Sequence, residues 1–132
     1  MANALYDTGR AAFLTGGIAA GVDTIKVALL NSSYTPNLGS HQYKTSISTY
    51  IVGTPQTLSV TSTTAGTLKG SNVTFTAVTT GSTITYIALY KDTGNALTSQ
   101  LIGLIDTATN MPLPSNGGDI TVQWDAAGIF TL

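Results

Sequence analysis

The sequence predicts an all-β fold, a single antiparallel β-sandwich or jelly roll with one short N-terminal helix, and three observations point there. Glu is absent from the 132 residues, and charged side chains make up only 8% against roughly 25% in ordinary soluble domains. That composition disfavours long solvent-facing helices and suits strands joined by tight turns. Short runs rich in Val, Ile, Thr, Tyr and Phe recur along the chain, punctuated by Gly, Pro, Asn and Ser. No helix-period segment stands between the strands that would pair, which argues against a parallel α/β sheet. The length suits one domain spanning residues 1–132, large enough to bury a core without metal or disulfide support.

In chain order, Leu5, Tyr6, Gly9, Ala12 and Phe13 fall on one helical arc. They predict a helix from Asn3 to Thr15, capped by Asn3 and ended by Gly16 and Gly17. This helix-bearing segment, residues 1–17, either packs on the sandwich or reaches a neighbouring subunit. Asp23 to Leu30 alternates as a strand with Ile25, Val27 and Leu29 inward. The run Asn31 to Asn37 is a loop, because turn formers crowd it and Pro36 offers no ladder donor. Ser40 to Ile47 predicts one or two helical turns, with Ser40 as cap and Tyr43 and Ile47 on one side. Strands follow at Ser48–Val52, Thr57–Ser62 and Val73–Val78; in the last, Val73, Phe75 and Ala77 face inward and Thr74, Thr76 and Thr79 outward.

The stretch from Ser82 to Asp106 predicts a long β-hairpin at the centre of the fold. On its first arm Thr83, Thr85, Ile87 and Leu89 share one face, and Ile84, Tyr86, Ala88 and Tyr90 the other. On the return arm Leu101, Gly103 and Ile105 oppose Ile102 and Leu104. Neither face is polar enough for water, so both need a cover. Between the arms, Asp92-Thr93-Gly94-Asn95 is a turn: Gly94 accepts positive φ and Asp92 can bond nearby donors. Met111 to Gly118 holds two prolines and two glycines and predicts no regular element. Asp119 to Asp125 is a strand with Ile120, Val122 and Trp124 on its core face. Ala126-Ala127-Gly128 suits a bulge before Ile129 to Leu132 resumes.

The chemistry is sparse. A net charge of −1 and pI near 5.4 provide no field for phosphates, so neither nucleic acid nor membrane is an expected partner. With no cysteine, disulfides, thiolate metal sites and thiol nucleophiles are absent together. The first ten residues lack a basic, apolar signal pattern, and no run reaches membrane-spanning length, so the expectation is a protein made in a cytoplasm. His41 is the only histidine. Its neighbour Ser40 cannot face it as a nucleophile, and the expectation is a solvent-exposed loop residue. Asp92, Asp106, Asp119 and Asp125 lie at predicted strand ends, where capping and solubility explain them better than paired-carboxylate hydrolysis. The acceptor patterns at Asn31 and Asn72 have no consequence without secretion. No phosphate loop, nucleophile elbow, zinc helix or calcium loop occurs. The expectation is therefore no enzyme, with no catalytic, metal or cofactor-binding residue and no cofactor. Trp124 with Tyr34, Tyr43, Tyr50, Tyr86 and Tyr90 could line a sugar-binding face, although the phase of Trp124 makes it core.

Taken together, Asp23 to Leu30, the Tyr34-Thr35-Pro36-Asn37 loop, Tyr90 to Gly94, and Gly117 to Asp125 with the Gly128-Ile129-Phe130 ending resemble small virion proteins of tailed bacteriophages. Within that group the chain is most similar to the head decoration, or cement, class. The resemblance spans most of the chain, rests on strand and turn patterns, and carries no functional side chain. It implies a structural protein on the outer surface of the head, made in the host bacterial cytoplasm. Its implied partners are the major capsid protein and further copies of itself, with a trimer as the expected oligomer. The alternative from another class is a tail- or fibre-associated carbohydrate-binding β-sandwich module.

Overall fold

A computed structural model of the chain describes residues 4–19, 21–106, 111, 113–124 and 128–131. The protein is mostly β, with antiparallel strands and one short helix. The main sheet is formed by β1 (Ala4–Leu5), β2 (Ile25–Asn31), β3 (Ile51–Thr57), β7 (Thr83–Lys91) and β8 (Leu101–Ile105) in the order β1-β8-β7-β2-β3, with β9 (Leu113–Pro114) beside the start of β7. Two small sheets accompany it: β6 (Val73–Phe75) with β10 (Ile120–Val122), and β4 (Val60–Ser62) with β5 (Thr67–Gly70) and β11 (Phe130–Thr131). The arrangement is sandwich-like without closing into a barrel.

The hairpin of β7 and β8 does sit at the centre, and both of its faces are covered. On one face Ile25, Val27, Leu29, Ile84, Ile87, Leu89 and Ile102 pack with Leu68, Val73, Phe75, Val78 and Val122 from the small sheets. On the other, Ala28, Leu30, Ala88, Tyr90, Leu101 and Leu104 pack with Tyr6, Tyr34 and Ile47. Strand β2 therefore buries both faces, not only the side of Ile25, Val27 and Leu29.

Strict alternation fails where the ladders slip. The register of β2 on β7 runs Leu30 to Tyr86 and then Asn31 to Ile84, leaving Thr85 as an extra residue. This bulge turns Ile84 onto the face of Ile87 and Leu89, away from Tyr86. A second slip, Leu89 to Gly103 and then Tyr90 to Leu101, leaves Ile102 extra. Leu101 and Leu104 thus share a face that a two-residue period would have split.

Other boundaries move for local reasons. Helix α1 (Asp7–Leu14) begins later than Asn3, which lies outside the described residues, because Leu5 is drawn into a ladder with Gly103. Tyr6 precedes the helix without a side-chain cap, and Gly16 at φ +80° ends it as expected. The only buried residue of α1 is Gly9, whose Cα side lies against the β8 backbone, while Ala12 and Phe13 pack toward the first core. The helical turns near Ser40 occur later, at Lys44–Ser46 and Ser48–Tyr50. Neither turn has a side-chain cap; Ser40 instead gives its N–H to the Asn37 Oδ1 in the preceding turn. Strand β3 starts at Ile51 and runs through Pro55 to Thr57. Pro55 is tolerated because β3 is a sheet edge and Gly53, at φ +74°, opens a bulge there.

The expected strand Thr57–Ser62 is broken: β3 ends at Thr57, Leu58 buries its side chain, and β4 starts only at Val60. Ala77 does not face inward. It takes φ +47° with its N–H held by the Asp119 carboxylate, so Val78 enters the core in its place. The Pro- and Gly-rich stretch contains the two-residue β9, and Ser115 beside it is buried, its hydroxyl accepting from the Ser82 N–H and donating to the Thr79 carbonyl while its N–H donates to the Ser82 carbonyl. Trp124 is half-buried against the first core with its indole N–H on the Ser71 carbonyl. The expected bulge at Ala126-Ala127, the strand end Asp125 and the terminal Leu132 lie outside the described residues.

Candidate functional site

The connection from β2 to β3, residues 32–50, lies over the second face of the main sheet and carries three of the six tyrosines, Tyr34, Tyr43 and Tyr50. Its first turn is built by Asn31, whose Oδ1 accepts from the Ser33 N–H while its carbonyl accepts from the Tyr34 N–H. The next is built by Asn37, whose carbonyl accepts from the His41 N–H at 2.9 Å. These two turns bring the rings of Tyr34 and His41 to a centroid distance of 5.5 Å.

Tyr34 is the hub. Its hydroxyl lies 2.7 Å from the Tyr6 hydroxyl and 2.8 Å from Nδ1 of His41. Its ring meets Tyr50 at 5.4 Å and Tyr86 edge-on at 5.7 Å, within the range where aromatic pairs attract. Tyr6 and Tyr34 are buried, whereas Tyr50, Tyr86 and His41 are half-buried. His41 is therefore not the free loop side chain the sequence suggests. Helix α1 fixes it from outside: the Thr8 hydroxyl donates to the His41 carbonyl, and the Asp7 N–H to the Leu38 carbonyl. Beyond this cluster Lys44 lies over the ring of Tyr90 at 5.2 Å.

The electrostatics favour neutral phenols. Burial pushes the Tyr6 hydroxyl far above its ordinary range, reinforced by its bond to Tyr34. Burial also raises Tyr34, against a lowering contribution from Tyr6. Tyr90 is pushed up to about 12, by burial first and by Asp92 second. Phenols held neutral in this way are poor general bases at neutral pH. They act as donors and as packing surface.

The acids singled out in the sequence are dispersed on structural duties. Asp92 pairs with Lys26 and accepts from the Gly94 N–H, as the turn reading requires. Asp119 holds the Ala77 N–H, and Asp125 is outside the described residues. Asp106 follows the end of β8. Among the described residues no three His or Asp side chains gather as a metal-binding group. Trp124 packs with the first core, whereas Tyr34, Tyr50, Tyr86 and Tyr90 line the second, so they do not share one aromatic face with it.

Sequence reasoning missed the coupling of Tyr6 to His41 through Tyr34. The signal available was the turn chemistry of Asn31 and Asn37, which folds residues 34 and 41 toward each other; nothing local points to Tyr6. No protein-family model matches the chain, and no curated protein matches it significantly.

Proposed function

We propose that the chain is a structural protein of a tailed-bacteriophage virion, a decoration protein on the outside of the head that binds across major capsid protein subunits and performs no catalysis. The observation that supports this reading best is the neutral surface. Charged residues are 8% of the chain, and Arg10 with Asp7, Lys26 with Asp92 and Lys91 with Asp23 spend their charges on one another. Around these pairs the exterior is hydroxyl-rich, as in the exposed Thr74–Thr121 pair across β6 and β10, and large apolar side chains stand in solvent at Leu14, Val22 and Leu97.

Such a surface is desolvated at less cost than one of Lys and Glu. A stable contact needs about 800 Å² per partner, roughly an eighth of the 6604 Å² accessible surface. Whole edges would then be engaged, not one pocket. Self-association, with a trimer over local three-fold junctions of the shell, turns modest single-site affinity into avidity. Neither nucleic acid nor membrane is needed as a partner, and no metal or cofactor is required. The sugar-binding fibre reading has less support, because Trp124 and the tyrosines face different cores.

The deciding experiment is a cryo-EM map of the virion, with gold-labelled antibody on intact particles. Density and label over the head are expected. Label confined to the tail, or absence from purified particles, overturns the proposal, and strong signals on a glycan array would revive the sugar-binding alternative.

A further inference from the structure

The Tyr6–Tyr34–His41 chain has a count of protons that makes it directional. Two contacts join the three groups, Tyr6 Oη to Tyr34 Oη and Tyr34 Oη to His41 Nδ1. With Nδ1 unprotonated, two hydroxyl hydrogens fill the two contacts: Tyr6 donates to Tyr34, and Tyr34 donates to Nδ1. Protonating the ring puts a third hydrogen, on Nδ1, into the same two contacts. One hydrogen is then left without an acceptor, because among the described residues the Tyr6 and Tyr34 hydroxyls have no other hydrogen-bond partner. Tyr6 is 0% and Tyr34 2% exposed, so water does not reach the vacancy without movement.

We propose that His41 is a proton-operated latch on the segment of residues 32–50, held shut by the neutral ring and released when Nδ1 takes a proton. His41 is half-buried, so the protonated ring can leave the cluster for solvent, and the segment it anchors loosens with it. Releasing it weakens the contacts to α1, through Thr8 with the His41 carbonyl and Asp7 with the Leu38 carbonyl, and the cover over Tyr50 and Tyr86.

Among the described residues no carboxylate is ion-paired with His41. Tyr34, Tyr6, Tyr50 and Tyr86 line the sheet side, and Tyr43 and Lys44 lie further along the same segment. On α1, Asp7 is paired with Arg10. From β8, the contact is through neutral groups, the Leu101 N–H to the Gln42 carbonyl and Gln100 to Thr8. Because a hydrogen on Nδ1 leaves one buried hydroxyl hydrogen without an acceptor, the hydrogen-bond count favours the closed form with the ring neutral and the open form with it protonated.

The test is amide hydrogen exchange by NMR on the full chain, corrected for intrinsic rates, from about pH 7.5 to about pH 5.5. The amides of Asp7, Lys44 and Leu101, which bond Leu38, Ser99 and Gln42, are expected to lose protection on the order of tenfold as pH falls, the effect of one orphaned buried donor. His41→Asn, whose Oδ1 stands where Nδ1 does and still accepts from Tyr34, is expected to show no such change. A wild type with flat protection, or a variant that loses protection equally, overturns the proposal. Imidazole nitrogen shifts of the wild type give a second reading independent of any variant: an unprotonated Nδ1 at neutral pH is expected, and an Nδ1–H tautomer there overturns the latch.

Discussion

Replacing Gly9 by Ala tests how closely α1 rests on the main sheet. By helix propensity alone the change is favourable, by about 1 kcal/mol. The structure reverses that sign. A Cβ built on Gly9 lies 2.5 Å from the Leu101 carbonyl oxygen, 3.0 Å from that of Ile102 and 3.1 Å from the Ile102 Cα. All three are backbone atoms of β8, with no flexible side chain to yield. Restoring ordinary contact requires α1 to withdraw by about 1 Å, which disturbs the Tyr6 N–H bond to the Ile102 carbonyl and the packing of Ala12 and Phe13. Overpacking costs about 1–3 kcal/mol, and against backbone atoms that cannot yield the upper part of that range, about 2–3 kcal/mol, applies, so the net expectation is a loss of about 1–2 kcal/mol after the propensity gain of about 1 kcal/mol. With an m-value of about 1.5 kcal/mol/M, the urea midpoint falls by about 1 M. Far-UV circular dichroism and Trp124 fluorescence read the transition, and Ala11→Gly on the exposed side of the same helix reads the propensity contribution by itself. If Gly9→Ala is as stable as the wild type or more so, the close approach of helix and sheet is wrong.

Phe75, 1% exposed at the centre of the first core, is expected to cost about 3–5 kcal/mol when replaced by Ala; a chemical melt within 1 kcal/mol or so of wild type would refute its central place. The raised tyrosines predict alkaline instability. A group whose folded pKa lies above its unfolded value stabilises the fold fully below the unfolded value, about 10 for tyrosine. That stability is lost as pH climbs from there toward about 12 for Tyr90 and beyond for Tyr6. Phenolate absorbance followed together with circular dichroism should show part of the tyrosine signal appearing only with unfolding; six tyrosines titrating in one step on an intact fold would contradict it.

Composition and periodicity were enough for the class of fold, because both act locally. Few charges and no Glu remove the long exposed helix, and the apolar runs at Asp23–Leu30 and Ser82–Asp106 fix strands wherever they are placed. The helix stop at Gly16 and the turn at Asp92–Gly94 were legible for the same reason: a positive φ and a carboxylate two residues from a backbone donor are properties of a few adjacent residues. What tertiary structure alone decided is where the period of two is interrupted. Thr85 and Ile102 became bulges because their partner strands slipped by one residue, and that moved Ile84 and Leu101 to faces that their own neighbours do not specify. Ala77 turned outward because Asp119, 42 residues away in sequence, holds its N–H. The tyrosine cluster has the same origin. Tyr34 and His41 are joined by local turns, but Tyr6 reaches them only through the ladder of Leu5 with Gly103 and the seat of α1 on β8. A sequence specifies which side chains seek burial; the pairing of distant backbone groups determines which of them meet.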